Sequence, residues 1–171
     1  MNRERSFTLT IEPAREEHLA EVAALARVVW QTHYPSIISP EQIEYMLARG
    51  YDLKNLQAEL ASGIHFKRAI AAGELRGFSS FGPGPATGEM KLHKLYVHPE
   101  WQRRGIAAAL LDSCEADAHR DGATELVLNV NKRNEVAIAA YSRHGFTIRD
   151  SVTNDIGGGF VMDDYVMAKP L

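Results

Sequence analysis

The sequence predicts a mixed α/β fold: one central sheet of about seven strands with helices on both faces, in the order β-α-α-β-β-β-α-β-α-β-β. Three observations lead there. Strand-type and helix-type segments alternate along the chain instead of falling into separate blocks. Glycine, proline and capping residues punctuate each change of pattern. At 171 residues, with no repeat and no linker, the chain is sized for a single domain spanning residues 1–171.

Each element has its own signal. SFTLTIEPA alternates and ends in proline, as a first strand would. EEHLAEVAALARVVWQTHY places Leu19, Val22, Leu25, Ala26 and Val29 at helical spacing. Pro35 and Pro40 bracket SIIS as a loop, and Ser39 is positioned to cap a short helix, EQIEYMLARG, that Gly50 stops. DLKNLQAELASG reads as another short helix, ending at Gly63. HFKRAIA and LRGFSSFG, joined by AGE, form a hairpin; GPGPATG is loop, and EMKLHKLYV is a third strand ended by His98-Pro99. A long helix runs from about Gly105 to Arg120, with Ile106, Leu110, Leu111 and Cys114 along one side. TELVLNV is a strand of the fully buried type, and NEVAIAAYSRHG is a helix capped by Asn134 and stopped at Gly145. FTIRDSVTND and FVMDDYVMAK close the chain as a hairpin around IGGG.

Composition narrows the function classes. Hydrophobic residues make up 45% and charged residues 24%, ordinary for a globular protein, and the formal net charge of −3 offers no basic face for nucleic acid. No apolar stretch approaches the ~20 residues of a membrane span, so no membrane partner is expected. The start, MNRERSFTLTIEP, has early charges without an apolar h-region, so no signal peptide is expected. Cys114 is the only cysteine, which excludes an internal disulfide and suits a reducing cytoplasm.

The chemistry concentrates at WQRRGIAAALL. Amides in the first turn of a helix lack intrahelical partners and carry the positive end of the helix dipole, so a helix start can hold phosphate. Gly105 keeps that approach open, Ala107 and Ala108 keep the turn slim, and Arg103 and Arg104 add charge. No Gly-Lys-Ser/Thr follows, so this is not a P-loop, and G-x-G-x-x-G is missing, so it is not a Rossmann turn. After a buried strand comes NEVAIAAYSRHGF, where Asn134 and Tyr141 fall two helical turns apart on one face, with the small Ala137 and Ala140 beside them.

Together, LYVHPEWQRRGIAAALL and NKRNEVAIAAYSRHGF resemble the acetyl-CoA-binding core of the GNAT superfamily of N-acetyltransferases, and the element order fits a single GNAT-type domain. The resemblance implies that acetyl-CoA is the cofactor and that its pyrophosphate sits on Gln102, Arg103, Arg104, Gly105, Ile106, Ala107 and Ala108. It implies that the pantetheine arm pairs with the backbone of Leu95, Tyr96 and Val97, that Asn134 bonds the arm from the other side near Ala137, and that Tyr141 lies at the thioester sulfur. The family usually has glycine where this chain has Ala107. Tyr141 suits its place chemically: a departing thiolate, pKa ~8.5, benefits from a proton, and a phenol of pKa ~10 carries one at neutral pH.

The general base is less legible. Lys91 stands where some relatives place a glutamate. His93, at the strand parity of Leu95, is the candidate, with a water chain to Glu89 or to a backbone carbonyl as the alternative. QTHYPSIISPEQIEYML and GGGFVMDDYVMAKPL resemble the polyamine (spermidine/spermine) acetyltransferases within the superfamily, which implies a small-molecule amine acceptor. His33, Tyr34, Glu41, Asp163, Asp164 and Tyr165 are its candidate contacts. Acetylation of a protein N-terminus or lysine, and a noncatalytic acyl-CoA-binding module, are the alternatives. The resemblance also implies a homodimer paired through the C-terminal strands or nearby helices, where FVMDDYVMA offers apolar residues on both faces. Cys114 reads as core, and the scattered His65, His119 and His144 predict no metal.

Overall fold

Caps and turns set the element boundaries in the computed structural model, which describes residues 7–171; most of the charged start that bears on a signal peptide lies outside them. The elements are β1 (Leu9–Pro13), α1 (Leu19–His33), α2 (Pro40–Gly50), α3 (Leu53–Ala61), β2 (His65–Ala71), β3 (Glu74–Pro83) and β4 (Glu89–Val97). Then come α4 (Ile106–Arg120), β5 (Glu125–Asn131), α5 (Glu135–Arg143), β6 (Thr147–Gly157) and β7 (Phe160–Pro170). Three α-helices separate β1 from β2, one more than the predicted order counts. Asp52 starts α3 afresh by accepting the Asn55 amide at 2.8 Å, which breaks the path at Tyr51. Ser39 caps α2 by accepting the Gln42 amide, with Pro40 in the first turn.

All seven strands form one sheet, ordered β1-β2-β3-β4-β5-β7-β6. Every pairing is antiparallel except β4 with β5. Helices α1, α2 and α3 cover one face through Trp30, Ile43, Leu47 and Leu56, packed on Phe66 and Phe78. Helices α4 and α5 cover the other, with Leu111, Cys114, Ile138 and Tyr141 packed on Phe81, Leu92, Leu128 and Met167. Fully burying one large apolar side chain of this kind contributes ~1.5–3 kcal/mol.

Two irregularities in β4 interrupt the regular sheet. Pairing with β5 runs only over Glu89–Leu92 against Glu125–Leu128, after which the two strands part. Just there, Ser80 of β3 pairs with Lys94 and Phe81 with Leu92, so His93 is an extra, bulged residue. Met90 and Leu92 therefore face α4 and α5, while Lys94 and Tyr96 face the opposite helices. Strand parity does not carry across this bulge, so His93 is not held in line with Leu95 as the sequence predicts.

Candidate active site

Where β4 and β5 part, the sheet opens into a cleft of about 580 Å³ reached from both faces. At its α4 end the backbone turns sharply, with φ of +62° at Arg103 and +81° at Gly105, the cap of α4. No side chain caps this helix, so its first amides face the cleft without a protein partner. A Cβ built on Gly105 meets no atom within 4 Å, so the space above the turn is open. Gln102, Arg103, Ile106, Ala107 and Ala108 share this wall, joined by Arg143 and His144 from α5. Arg104 does not: its guanidinium lies 4.8 Å over the Trp101 ring, outside the cleft.

The parted strands supply the second feature. Leu95, Tyr96 and Val97 pair with β3 on one side and have no strand on the other, and Asn129 to Asn131 of β5 are equally free toward β4. An extended, amide-bearing chain can pair there, and a pyrophosphate can rest on the α4 amides. The lining therefore fits coenzyme A. Asn134 is 5% exposed, and its Oδ1 is already engaged by the Ala137 amide at 3.3 Å and His33 Nε2 at 3.0 Å. Only its amide NH₂ remains for a cofactor arm.

Toward α1 and α2 the wall is aromatic. Trp30 stacks on Tyr34 with ring centres 4.0 Å apart, and the Tyr51 and Tyr96 hydroxyls lie at 2.7 Å. Lys94 is buried and held by Glu59 at 2.6 and 2.7 Å, with its ammonium 5.0 Å over the Tyr51 ring. Tyr141 lines the cleft from α5 against Phe146. Burial, and then the neighbouring Tyr34, raises its phenol above the usual range, so it stays protonated at physiological pH. His93 is exposed on the cleft wall; poor hydration between the walls, then the charges of Lys91 and Lys94, push it down to about 4.

Alternation along β7 divides the remaining candidates. Met162 and Asp164 point into the cleft, whereas Asp163 and Tyr165 point to the other face. Asp163 is ion-paired with Lys132 and bonded by Thr153, and Tyr165 packs in the α4–α5 core. Neither lines the cleft, and Glu41, in the first turn of α2, does not either. Asp164 is 6% exposed, and its Oδ1 has no hydrogen-bond partner. Burial raises its pKa, partly offset by hydrogen bonding to Asn129. Glu89 sits at the paired end of β4, bound by Arg149 at 2.6 Å, which leaves no room for it as a distant base.

Cys114 is fully buried and its thiol is pushed up to about 12, as expected of a core residue. His65 stacks on Phe81, and His144 bonds Asp112 and Glu115, the latter shared with Lys169 at 2.8 Å. Nothing in the sequence pattern signals that last cluster, and Lys169 already fills it with positive charge. Trp30, Tyr51, Lys94, Met46 and Met162 also line the cleft without having been predicted. Met162 was within reach, two residues from Asp164 on an alternating strand; Lys94 was hidden by the bulge.

Comparison with known proteins agrees with this geometry. Residues 22–146 match the acetyltransferase (GNAT) family. The chain is 28% identical over 162 residues to a spermidine N(1)-acetyltransferase of Thermoplasma acidophilum, covering 92% of this chain and 97% of that one. It is 29% identical over 155 residues to an uncharacterized N-acetyltransferase of Mycobacterium tuberculosis, covering 88% and 96%. Among solved structures it superposes with a TM-score of 0.83, at 27% identity, on the PaiA N-acetyltransferase of T. acidophilum in complex with coenzyme A, covering 96% and 99%. With a matching family model over most of its length and a cleft that fits the cofactor, the chain belongs to the acetyltransferase (GNAT) family and is an acetyl-CoA-dependent N-acetyltransferase.

Proposed function

We propose that the protein acetylates a primary amine of a small, polycationic acceptor of the polyamine type, with Tyr141 as general acid. The observation that carries the reading is the closed acceptor end of the cleft. Gln42 of α2 donates to the Val161 carbonyl at 3.0 Å, and Tyr45 donates to the Ile156 carbonyl at 2.6 Å. These bonds pin the β6–β7 hairpin against α2, beside Met46 and Met162 in the wall. A peptide needs an open groove; this end suits a short, slender chain. The aromatic wall of Trp30, Tyr34 and Tyr51 suits a slender alkyl chain, and Asp164 adds a carboxylate for an ammonium group. The spermidine enzyme among the relatives supports the same class.

Acetyl-CoA supplies the activated acetyl thioester. The chain's own part is to present the acceptor nitrogen through the parted strands, exclude water with the aromatic wall, and place the Tyr141 hydroxyl where the sulfur departs. A panel of amines assayed by thiol release tests the reading. Spermidine is expected to exceed a monoamine of equal length in kcat/KM, and equal efficiency on both would remove the polyamine class.

Among the described residues no helix is long and apolar enough to cross a membrane. A cytoplasmic setting is part of the proposal, supported by the lone, buried Cys114. So is a homodimer paired through the C-terminal strands or nearby helices. Strand β7 lies between β5 and β6, so β6 is the edge strand at this end of the sheet, with β1 at the other.

A further inference from the structure

We propose that Asp164 is the proton acceptor of the reaction, taking a proton from the acceptor ammonium so that the freed nitrogen can bond to the acetyl carbon. The inference rests on the small-amine reading and adds the residue that reading leaves open. Among the described residues Asp164 is the only acidic side chain in the cleft wall. Its Oδ1 is buried without a partner, and a bare carboxylate oxygen in such a place is costly unless something arrives to use it. An ammonium or amine N–H is the complementary group.

The other bases are spoken for. Glu59 is bound by Lys94, Glu89 by Arg149 and Asp163 by Lys132. Of the cleft histidines, His33 is bonded to Asn134 Oδ1 at 3.0 Å, His144 to Asp112 and Glu115, and His93 stands exposed on the bulge. Asp164 also stands at the reacting end. Tyr34 and Tyr141 line the same cleft as Asp164. The charged and titrating groups that act on Asp164 are Tyr34 from the turn after α1, Lys91 from β4, Lys132 beyond β5, and Asp163 on its own strand.

The protons then balance. The acceptor arrives as an ammonium and loses one proton to the Asp164 carboxylate, and its freed lone pair forms the N–C bond. The C–S pair leaves on sulfur, which takes the Tyr141 proton. Tyr141 recovers a proton from the nitrogen, and Asp164 releases its own to solvent when the amide departs.

The test begins with the unaltered protein and spermidine. If no amine releases thiol, both this inference and the function it rests on are overturned. With turnover established, Asp164→Asn is expected to lower kcat by ~10²–10⁴-fold and to move the acidic limb of the kcat profile upward, toward the amine's own pKa of ~10. Calorimetry is expected to give an unchanged coenzyme A affinity. A variant whose loss lies in KM alone, with the limb unmoved, would show that Asp164 only binds cations and overturn the proposal. Asp164→Glu guards against an Asn variant that does not fold. It keeps a carboxylate in the wall, so the limb is expected to stay in place at reduced kcat, and a Glu variant whose limb moves up to the amine's range would equally overturn it.

Discussion

Tyr141, Asp164 and Gly105 each carry a consequence at the scale of a single residue. Tyr141→Phe removes only a hydroxyl from a ring packed on Phe146, so the fold and coenzyme A affinity should persist while turnover falls ~10²–10⁴-fold. Parent-like turnover across pH 6–9 would reduce Tyr141 to packing. Asp164 makes a stability prediction of the less familiar sign. Its folded pKa is raised, so the folded state binds a proton more readily than the unfolded chain, and the stability from this group is lost as pH rises through its titration. Asp164→Asn should therefore melt higher than the parent at pH 7, and the gap should close below the unfolded carboxyl's pKa of ~3.9. Gly105→Val puts a β-branched residue at φ +81°, costing ~1–2 kcal/mol, and fills the open space above the α4 amides. Calorimetry should show coenzyme A binding weakened several-fold or more.

At the scale of elements, caps were readable and the course of the strands was less so. Ser39 and Asn134 sit where the residues signalled helix starts, because a cap is a local bond between near neighbours. The bulge at His93 is a mismatch between two strands, so neither strand announces it alone, and that is why Lys94 and Tyr96 were not expected on the acceptor face. The split of Asp163 from Asp164 follows from plain alternation, yet choosing which of the two faces the cleft required knowing where β7 lies. The contact between α2 and the β6–β7 hairpin yields a further test. Gly157 and Gly158 pass so close to Tyr45 that a Cβ at Gly157 would stand 2.6 Å from its hydroxyl. Tyr45→Phe removes the bond to the Ile156 carbonyl, worth ~0.5–1.5 kcal/mol, and keeps the ring against Phe160. The KM for the amine should rise while coenzyme A affinity stays put; a change in cofactor affinity instead would mean that the hairpin serves the other mouth of the cleft.

For the molecule as a whole, the cleft wall from α4 and α5 was legible because helix-start amides and small residues leave a local signature, in Gln102 to Ala108, Arg104 apart, and Asn134 to Tyr141. The wall toward α1 and α2 was not, because it is assembled from α1, α2 and Tyr51 after it, the β4 bulge and β7, segments that meet only after folding. The sheet's outer edge at β6, with Ile148 exposed beside it, is where a second copy would add. Light scattering at tens of micromolar should give twice the monomer mass, and a monomeric mass would remove that part of the proposal. The opening between β4 and β5 has a kinetic consequence as well. Its lining comes from both faces of the sheet, so one cleft can hold donor and acceptor at the same time. With Cys114 sealed in the core there is no thiol to carry the acetyl group between half-reactions. Double-reciprocal plots against both reactants should therefore intersect, the mark of two reactants held together, and a family of parallel lines would mean that the acetyl group pauses on the protein.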